Sequence, residues 1–256
     1  MKRKIILIGI VFLFSSTLWG QEYKLKVSGN KTLFIQELNH VSVEGYEGTE
    51  IVFSTESKSG GDEERAEGLT AINAMGLKDN SGIGLSVIEN GDNIDVLALS
   101  RRSDKKYVIR IPKNVKIKYE HSTPYGSQLK VKDVSTEIEA STKHNAIFLE
   151  NVTGPLTINT VHGNVDVIFT TVNQASPTSI ISAHGLIDVT LPSNTKANLT
   201  MDSNWGELYT DMTIEIEKSE DGLKTYSSNV KGTLNGGGVS LNLSSAHGNV
   251  YLRKKG

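Results

Sequence analysis

Five residues with planar rings recur at a regular spacing in the second half of the sequence. They are His144, His162, His184, Trp205 and His247, at intervals of 18, 22, 21 and 42 residues, the last being two units. Imidazoles on adjacent turns of a repeat could bind zinc, copper or nickel. Structural metal sites normally have four ligands, and no fourth ligand accompanies these rings. Trp205 occupies the position that is His in the other copies, and an indole can stack but does not bind a metal. This favours rings packed at the corners, or a sugar-binding strip, over a metal site. We therefore expect no metal and no cofactor.

Two aspartates occupy one position of the same repeat, four residues after the ring. Asp166 and Asp188 would point outward on adjacent turns, and glycosidases use two carboxylates about 5–10 Å apart. The same position holds Phe148, Tyr209 and Tyr251 in other copies, and neither Asp has an evident Arg or Lys partner in register. We therefore interpret the two carboxylates as solvated surface residues.

Other catalytic patterns are missing from the sequence. It contains no GxSxG, HExxH or GxxxxGK[ST] motif, and no helix pattern follows Gly236-Gly237-Gly238 to bind a phosphate. With no cysteine, the chain cannot use a thiol nucleophile, a disulfide or a Cys-ligated metal. Its 27 basic and 29 acidic residues give a formal charge of −2, which argues against nucleic-acid binding. The sequence predicts a protein that is not an enzyme.

The rings belong to a longer repeat that must position them. Each copy reads apolar, x, apolar, x, Ser/Thr, x, ring, Gly, x, apolar, x, apolar, as in LTINTVHGNVDV at 156–167, and 138–149 is a degenerate copy with Asn145 in place of Gly. Alternation on both sides of a turn is typical of a strand, a corner and a second strand. The predicted core positions are Ile158, Ile180, Met201, Leu243, Val165, Ile187, Leu208 and Val250, and the predicted corner hydroxyls are Thr142, Thr160, Ser182, Ser203 and Ser245.

A unit of this size cannot bury its own apolar side and needs a neighbour above and below. Stacking the units brings equivalent residues into contact, so positions 158, 180, 201 and 243 should form a single file. An antiparallel sandwich of hairpins would also explain the alternation, but not five columns in register. We predict an all-β fold, a β-solenoid with coils of roughly 18–22 residues.

From about Ile94 onward the sequence resembles a known bacterial family. The resemblance is carried by VIRIP at 108–112, NVTGP at 151–155, SAHG at 182–185 with DVTLP at 188–192, and GGG at 236–238 ahead of SAHGNVYLRK at 245–254. These motifs are similar to the bacterial "putative adhesin", or "toastrack", family of domains of unknown function. The resemblance implies a right-handed single-strand β-solenoid, in or on the cell envelope, without an agreed enzymatic activity. The chain departs from the family pattern at 60–82 and 211–234.

The first twenty residues differ from the rest. A basic start at Lys2, Arg3 and Lys4 precedes an apolar run at 5–14, which is the layout of a signal peptide; an uncleaved anchor is the alternative. Residues 21–256 are then one solenoid domain that does not span a membrane, because no other segment approaches 18 apolar residues. We expect an insertion at 57–84 and an irregular excursion at 211–234. The insertion is either a loop with a short helix near 62–75, with Leu69, Ile72 and Met75 on its apolar side, or a solvated disordered loop.

Two functions fit these observations. The first is an exported, non-catalytic adhesin-like protein or scaffold of the bacterial cell envelope, located in the periplasm or at the cell surface. Its partner would be an envelope protein or a glycan, not nucleic acid, and the sequence gives no basis for an oligomeric state. The second is a carbohydrate-active protein that binds or cleaves polysaccharide along one face. A metal-responsive sensor is a weaker third hypothesis. The candidate ligand-binding residues are His144, His162, His184, Trp205 and Tyr209.

Overall fold

The computed structural model describes residues 21–56, 68–216 and 228–256, and every regular element in these ranges is a β-strand. The all-β prediction is therefore confirmed, while the predicted signal peptide lies outside the described residues. The strands are β1 (Glu22–Lys26), β2 (Thr32–Gln36), β3 (His40–Tyr46), β4 (Glu50–Thr55), β5 (Leu85–Asn90), β6 (Asn93–Ala98), β7 (Lys106–Pro112), β8 (Lys116–His121), β9 (Gln128–Lys132), β10 (Ile138–Thr142), β11 (Ala146–Val152), β12 (Leu156–Thr160), β13 (Val165–Phe169), β14 (Thr178–Ser182), β15 (Ile187–Leu191), β16 (Ala197–Ser203), β17 (Leu208–Thr210), β18 (Glu215–Ile216), β19 (Asn229–Leu234), β20 (Val239–Ser245) and β21 (Val250–Lys254).

These strands form two large sheets. The first has the order β1-β4-β7-β3-β9-β11-β13-β15-β21-β17, and the second β18-β19-β16-β20-β14-β12-β10-β8-β2-β6-β5. From β7 to β17 the chain passes from one sheet to the other at each successive strand, and every strand from β8 to β15 pairs with its neighbours in parallel. Each strand pair with its corner therefore forms one rung of a stack. Apolar residues alternate inward and fill the space between the sheets.

Equivalent residues of the rungs lie directly over one another. In the second sheet Ile158 pairs with Ile180, Ile180 with Leu243, and Leu243 with Met201. All four side chains are buried. In the first sheet Val165, Ile187, Val250 and Leu208 are paired in the same way. The predicted columns are thus continuous files of apolar side chains in contact.

The order of the last two rungs differs from the order of the sequence. Met201 follows Leu243 in the file, although it precedes Leu243 in the sequence, because β20 pairs with β14 on one side and β16 on the other. Likewise β21 lies between β15 and β17. The final rung, 239–254, is inserted between two rungs that precede it in the chain.

Antiparallel strands cover both ends of the stack. At one end β1 pairs with β4 and β4 with β7, while β5 pairs with β6. At the other end β19 pairs with β16 and with β18. The excursion expected at 211–234 thus contributes two strands, and its residues 217–227 lie outside the described part of the chain.

The insertion at 57–84 contains no helix in its described part, 68–84. Turns and a single bridge between Ile72 and Lys78 occupy this stretch. The residues expected to form the apolar side of a helix, Leu69, Ile72 and Met75, are exposed to solvent. Without a core contact a weak helical pattern gains nothing from burial, which explains why it does not form here. The start of the expected helix, 62–67, lies outside the described residues. In the ranges that the structure describes, no helix could cross a membrane.

Candidate functional site: the ring column

The five recurring rings form a continuous stack on one corner of the fold. Ring centroids are 5.2 Å apart for His144 and His162, 4.9 Å for His162 and His184, and 4.6 Å for His184 and His247. Trp205 lies on the far side of His247 at 6.2 Å. Interplanar angles are between 5° and 16°, and all five side chains are exposed. We call this stack the ring column.

Buried hydroxyls hold the corners that carry these rings. Thr160 donates from Oγ1 to the carbonyl of Gly163 at 2.8 Å, and the amide of Gly185 donates to Ser182 Oγ at 2.8 Å. Ser245 Oγ donates to the carbonyl of Gly185, on the adjacent rung, at 2.9 Å. These bonds satisfy backbone groups that leave the sheet ladder at the corner. The predicted hydroxyl positions therefore fix both the bend within a rung and the contact between rungs.

A column of glycines keeps the corners close together. A Cβ atom on Gly185 would lie 2.0 Å from the carbonyl oxygen of Gly163, and one on Gly163 would lie 2.0 Å from that of Asn145. No side chain can occupy these positions without separating the rungs. Asn145 replaces glycine within this column, between Gly163 and Gly126, and its buried amide donates to Tyr119 Oη at 2.7 Å.

Stacking limits which parts of the rings in the ring column a ligand can contact. The faces of His162, His184 and His247 are covered by neighbouring rings, so these imidazoles present their edges. Nearly parallel rings also direct their nitrogen lone pairs side by side rather than toward one point. Among the described residues no group of three or more His, Asp or Glu side chains could hold a metal ion. The column is thus a line of hydrogen-bonding edges with a freely exposed indole, 80% accessible, at one end.

A second column runs along the outer face of the first sheet. Tyr209 stacks on Tyr251 at 5.0 Å and 9°, and the Arg253 guanidinium lies over the Tyr251 ring. Arg253 also binds both carboxylate oxygens of Asp188, at 2.8 and 3.0 Å from Nε. The expectation that Asp188 lacks a basic partner is therefore wrong. Arg253 lies in register with Thr190, two residues beyond Asp188, because β21 is the neighbour of β15.

The two aspartates differ in their surroundings. Asp166 pairs in register with Asp188 on the adjacent strand. Partial burial, with the nearby charge of Asp188, raises the pKa of Asp166 above its ordinary value. Arg253 contacts both carboxylate oxygens of Asp188, so these two side chains form an ion pair. Two carboxylates thus lie side by side in different electrostatic environments on an exposed sheet face.

A buried polar cluster at the end of β8, the strand next to β10, was not expected from the sequence. His121 is buried, and its Nε2 lies 2.9 Å from Asn39 Oδ1, which can only accept because the Asn39 amide donates to two carbonyls. Nε2 therefore carries the proton, and Nδ1 has no partner. Burial lowers the pKa of His121; His144 and His40 lower it further, against the opposing charge of Glu37. His121 pairs in register with the corner hydroxyl Thr142, but it is not a hydroxyl and the motif around it departs from the template, so the template did not identify it.

Comparisons with known proteins give little further information. No protein-family model and no curated protein matches the chain. One solved structure with similarity, from Clostridium sporogenes ATCC 15579, is described as a "putative cell adhesion protein". It is 13% identical, with 93% of this chain and 100% of that chain covered, at a TM-score of 0.47. Values this low carry no conclusion about the function of this chain.

Proposed function

We propose that this chain is an exported, non-catalytic interaction module of the bacterial cell envelope, adhesin-like or a scaffold, built as a right-handed β-solenoid of the toastrack type with coils of roughly 18–22 residues. The observation that carries the proposal is the ring column. Five exposed rings stand in one line about 20 Å long, since neighbouring strands lie about 4.8 Å apart.

The ring column has two properties of a binding surface. Aromatic side chains are enriched where proteins contact partners, because they supply a large contact area with few rotatable bonds. Stacking on corners fixed by Ser182 and Ser245 already restricts the rings, so a partner would lose little side-chain entropy on binding them. The edges of His162 and His184 add hydrogen-bonding groups at a constant interval.

Residues 1–20 support export, because a basic start followed by a short apolar run is typical of a signal peptide. A fractionation experiment on cells that express the whole chain tests this part of the proposal. We expect the chain in the periplasmic or surface fraction, and Ile10→Arg should retain it in the cytoplasm. Cytoplasmic location of the unmodified chain would contradict export.

The interaction itself is tested with the chain from Gln21 onward and isolated cell-wall sacculi or whole cells. The ring-less variant replaces His144, His162, His184, Trp205 and His247 with Ala. The matched control carries five Ala substitutions on the outer face of the second sheet, at Thr157, Asn159, Ser179, Thr200 and Asn242. We expect sedimentation with the envelope material to be lost in the ring-less variant alone. Equal sedimentation of both variants would contradict a role for the ring column.

A carbohydrate-active protein is the second candidate. The observation that favours it is the pair formed by Asp166, whose pKa is raised, and Asp188 on the next strand, which is paired with Arg253. Because Arg253 engages both oxygens of Asp188, that carboxylate is poorly placed to attack a sugar, so binding is better supported than cleavage. A reducing-sugar assay on soluble polysaccharides decides between them: release that Asp166→Asn abolishes would establish an enzyme.

A further inference from the structure

The two sheets end at different heights at the C-terminal end of the stack. In the first sheet β17 is the edge strand, whereas the second sheet continues past β16 with β19 and β18. Among the described residues, the terminal rung, 197–210, is therefore covered along β16, while no strand covers its corner or β17. The result is a step with the corner and β17 as its floor and the two added strands as its wall.

Two rings on this floor each have one stacked face. Trp205 packs on His247, and Tyr209 packs on Tyr251. No ring among the described residues stacks on the opposite face of either side chain. Trp205 is 80% exposed and Tyr209 is 44% exposed. The terminal rung thus presents two open ring faces directed away from the stack.

A carboxylate lies between the two rings in sequence and on the same side of the strand. In inner rungs this position holds Asn164, which accepts from the amide of Leu186 on the next rung, and Asn249, which accepts from the amide of Glu207. Glu207 is the equivalent residue of the terminal rung. In the described part of the chain no further rung follows whose backbone amide could donate to it. Its carboxylate accepts from the Tyr209 hydroxyl, and the described residues provide no other partner for it.

We propose that Trp205, Glu207 and Tyr209 form a platform that binds two sugar units of a neutral glycan. The apolar face of each pyranose would lie on a ring, while Glu207, the indole N–H and the phenol would bond to sugar hydroxyls. Trp205 lies on the corner and Tyr209 on β17 of the same rung, so the two rings offer two separate faces for stacking rather than one. Glu207 and the nearby Asp211 disfavour acidic polysaccharides.

Other occupants fit this end of the stack less well. An added peptide strand would have to pair with β17, which has only three residues. A second copy stacked end to end would meet β1, whose Glu22, Lys24 and Lys26 are exposed charges of the kind that block edge pairing. The platform deepens the proposed function by naming a ligand class, and it rests on that function only through Trp205, which belongs to both sites.

The experiment uses the chain from Gln21 onward, in which Trp205 is the sole tryptophan because the other one is Trp19. Its fluorescence therefore reports on the platform alone. The probes are a hexamer of β-1,4-linked glucose and a hexamer of β-1,4-linked N-acetylglucosamine. We expect a saturable fluorescence change with at least one hexamer, and affinity about tenfold or more weaker in Tyr209→Ala.

Binding of the hexamer to the remaining variants is measured by calorimetry. Trp205→Ala should abolish binding of the hexamer and Glu207→Gln should weaken it, whereas Thr157→Ala, on the exposed outer face of the second sheet, should bind as the unmodified chain does. No saturable response to either hexamer, or unaltered affinity in Tyr209→Ala, would overturn the platform. Loss of sedimentation in the ring-less variant without any hexamer binding would leave the proposed function standing and refute the platform alone.

Discussion

The ring of His184 stacks on the ring of His247 with centroids 4.6 Å apart, although Trp205 lies between these residues in the sequence. Trp205 packs on the opposite side of His247. This pairing means that β20 and β21 fill a place between β14/β15 and β16/β17. The arrangement of the ring column, the ion pair of Asp188 and the open end of the stack all follow from it.

Inward and outward positions of the rungs should differ sharply in their tolerance to substitution. Val167 is buried between Leu149 and Val189, so Val167→Asp places an unpaired charge in the core. We expect a loss of about 3–5 kcal/mol in the free energy of unfolding. His162→Ala, on the exposed side, should cost less than about 1 kcal/mol. Urea denaturation followed by circular dichroism measures both, and reversed tolerances would show that the assigned faces are wrong.

The glycine column predicts a steric penalty at the corners. In Gly185→Ala the new methyl group would meet the backbone oxygen of Gly163, which cannot move without separating two rungs. We expect a loss of about 1–3 kcal/mol in thermal or urea unfolding. Ala183→Ser, two residues earlier on the same corner and half-buried, is the control and should be close to neutral. Equal stability of the two variants would mean that the corners are not in close contact.

His121 should make the stability of the protein depend on pH. Its pKa in the folded state lies below the ordinary value of 6.5, so the unfolded chain binds the proton more readily. The stability contributed by neutral His121 is complete above about pH 6.5 and is lost as the pH falls toward the lowered pKa.

The variant His121→Gln isolates this effect, because its amide can still donate to Asn39 Oδ1 but cannot be protonated in this range. Melting temperatures of both proteins should be measured between pH 7.5 and 5. We expect the unmodified protein to lose more stability than the variant below pH 6.5. Parallel curves for the two proteins would contradict a neutral, buried His121.

The two neighbouring aspartates predict opposite shifts in a titration. Since the charge of Asp188 contributes to the raised pKa of Asp166, Asp188→Asn should lower that pKa while the effect of burial remains. Arg253→Gln should raise it further, because it leaves the charge of Asp188 uncompensated. Carbon NMR of the Asp166 carboxyl group measures both shifts, and an unchanged pKa in Asp188→Asn would show that the two carboxylates do not interact.

The repeat could be predicted from the sequence because its positions follow directly from burial. Alternation identified the inward residues Ile158, Ile180 and Leu243, and a hydroxyl before each corner identified the groups that bond to the bent backbone. The order of the rungs could not be predicted. Every rung carries the same apolar positions, so Ile180 can pack equally well against Met201 or Leu243.

The partner of Asp188 was missed for the same reason. Had the rungs followed the sequence, β15 would lie beside β17, and Arg253 would be one rung further away. The His121 cluster was missed for another reason: it joins the corners of the rungs β2–β3 and β8–β9, whose corner sequences lack the hydroxyl of the template at the equivalent position. Patterns within a repeat predict contacts between copies, but contacts outside the repeat need the assembled fold.

The inserted final rung constrains the order in which this end of the fold can assemble during synthesis. Because synthesis proceeds from the N-terminus, residues 197–210 are made before β20 and β21, the strands on which they pack. Assembly of this end has to wait for residues 239–254, which form the layer beneath the terminal rung. A polypeptide cut short before residue 239 would lack the strands on which residues 197–210 pack, so this end of the stack cannot form from the preceding rungs alone.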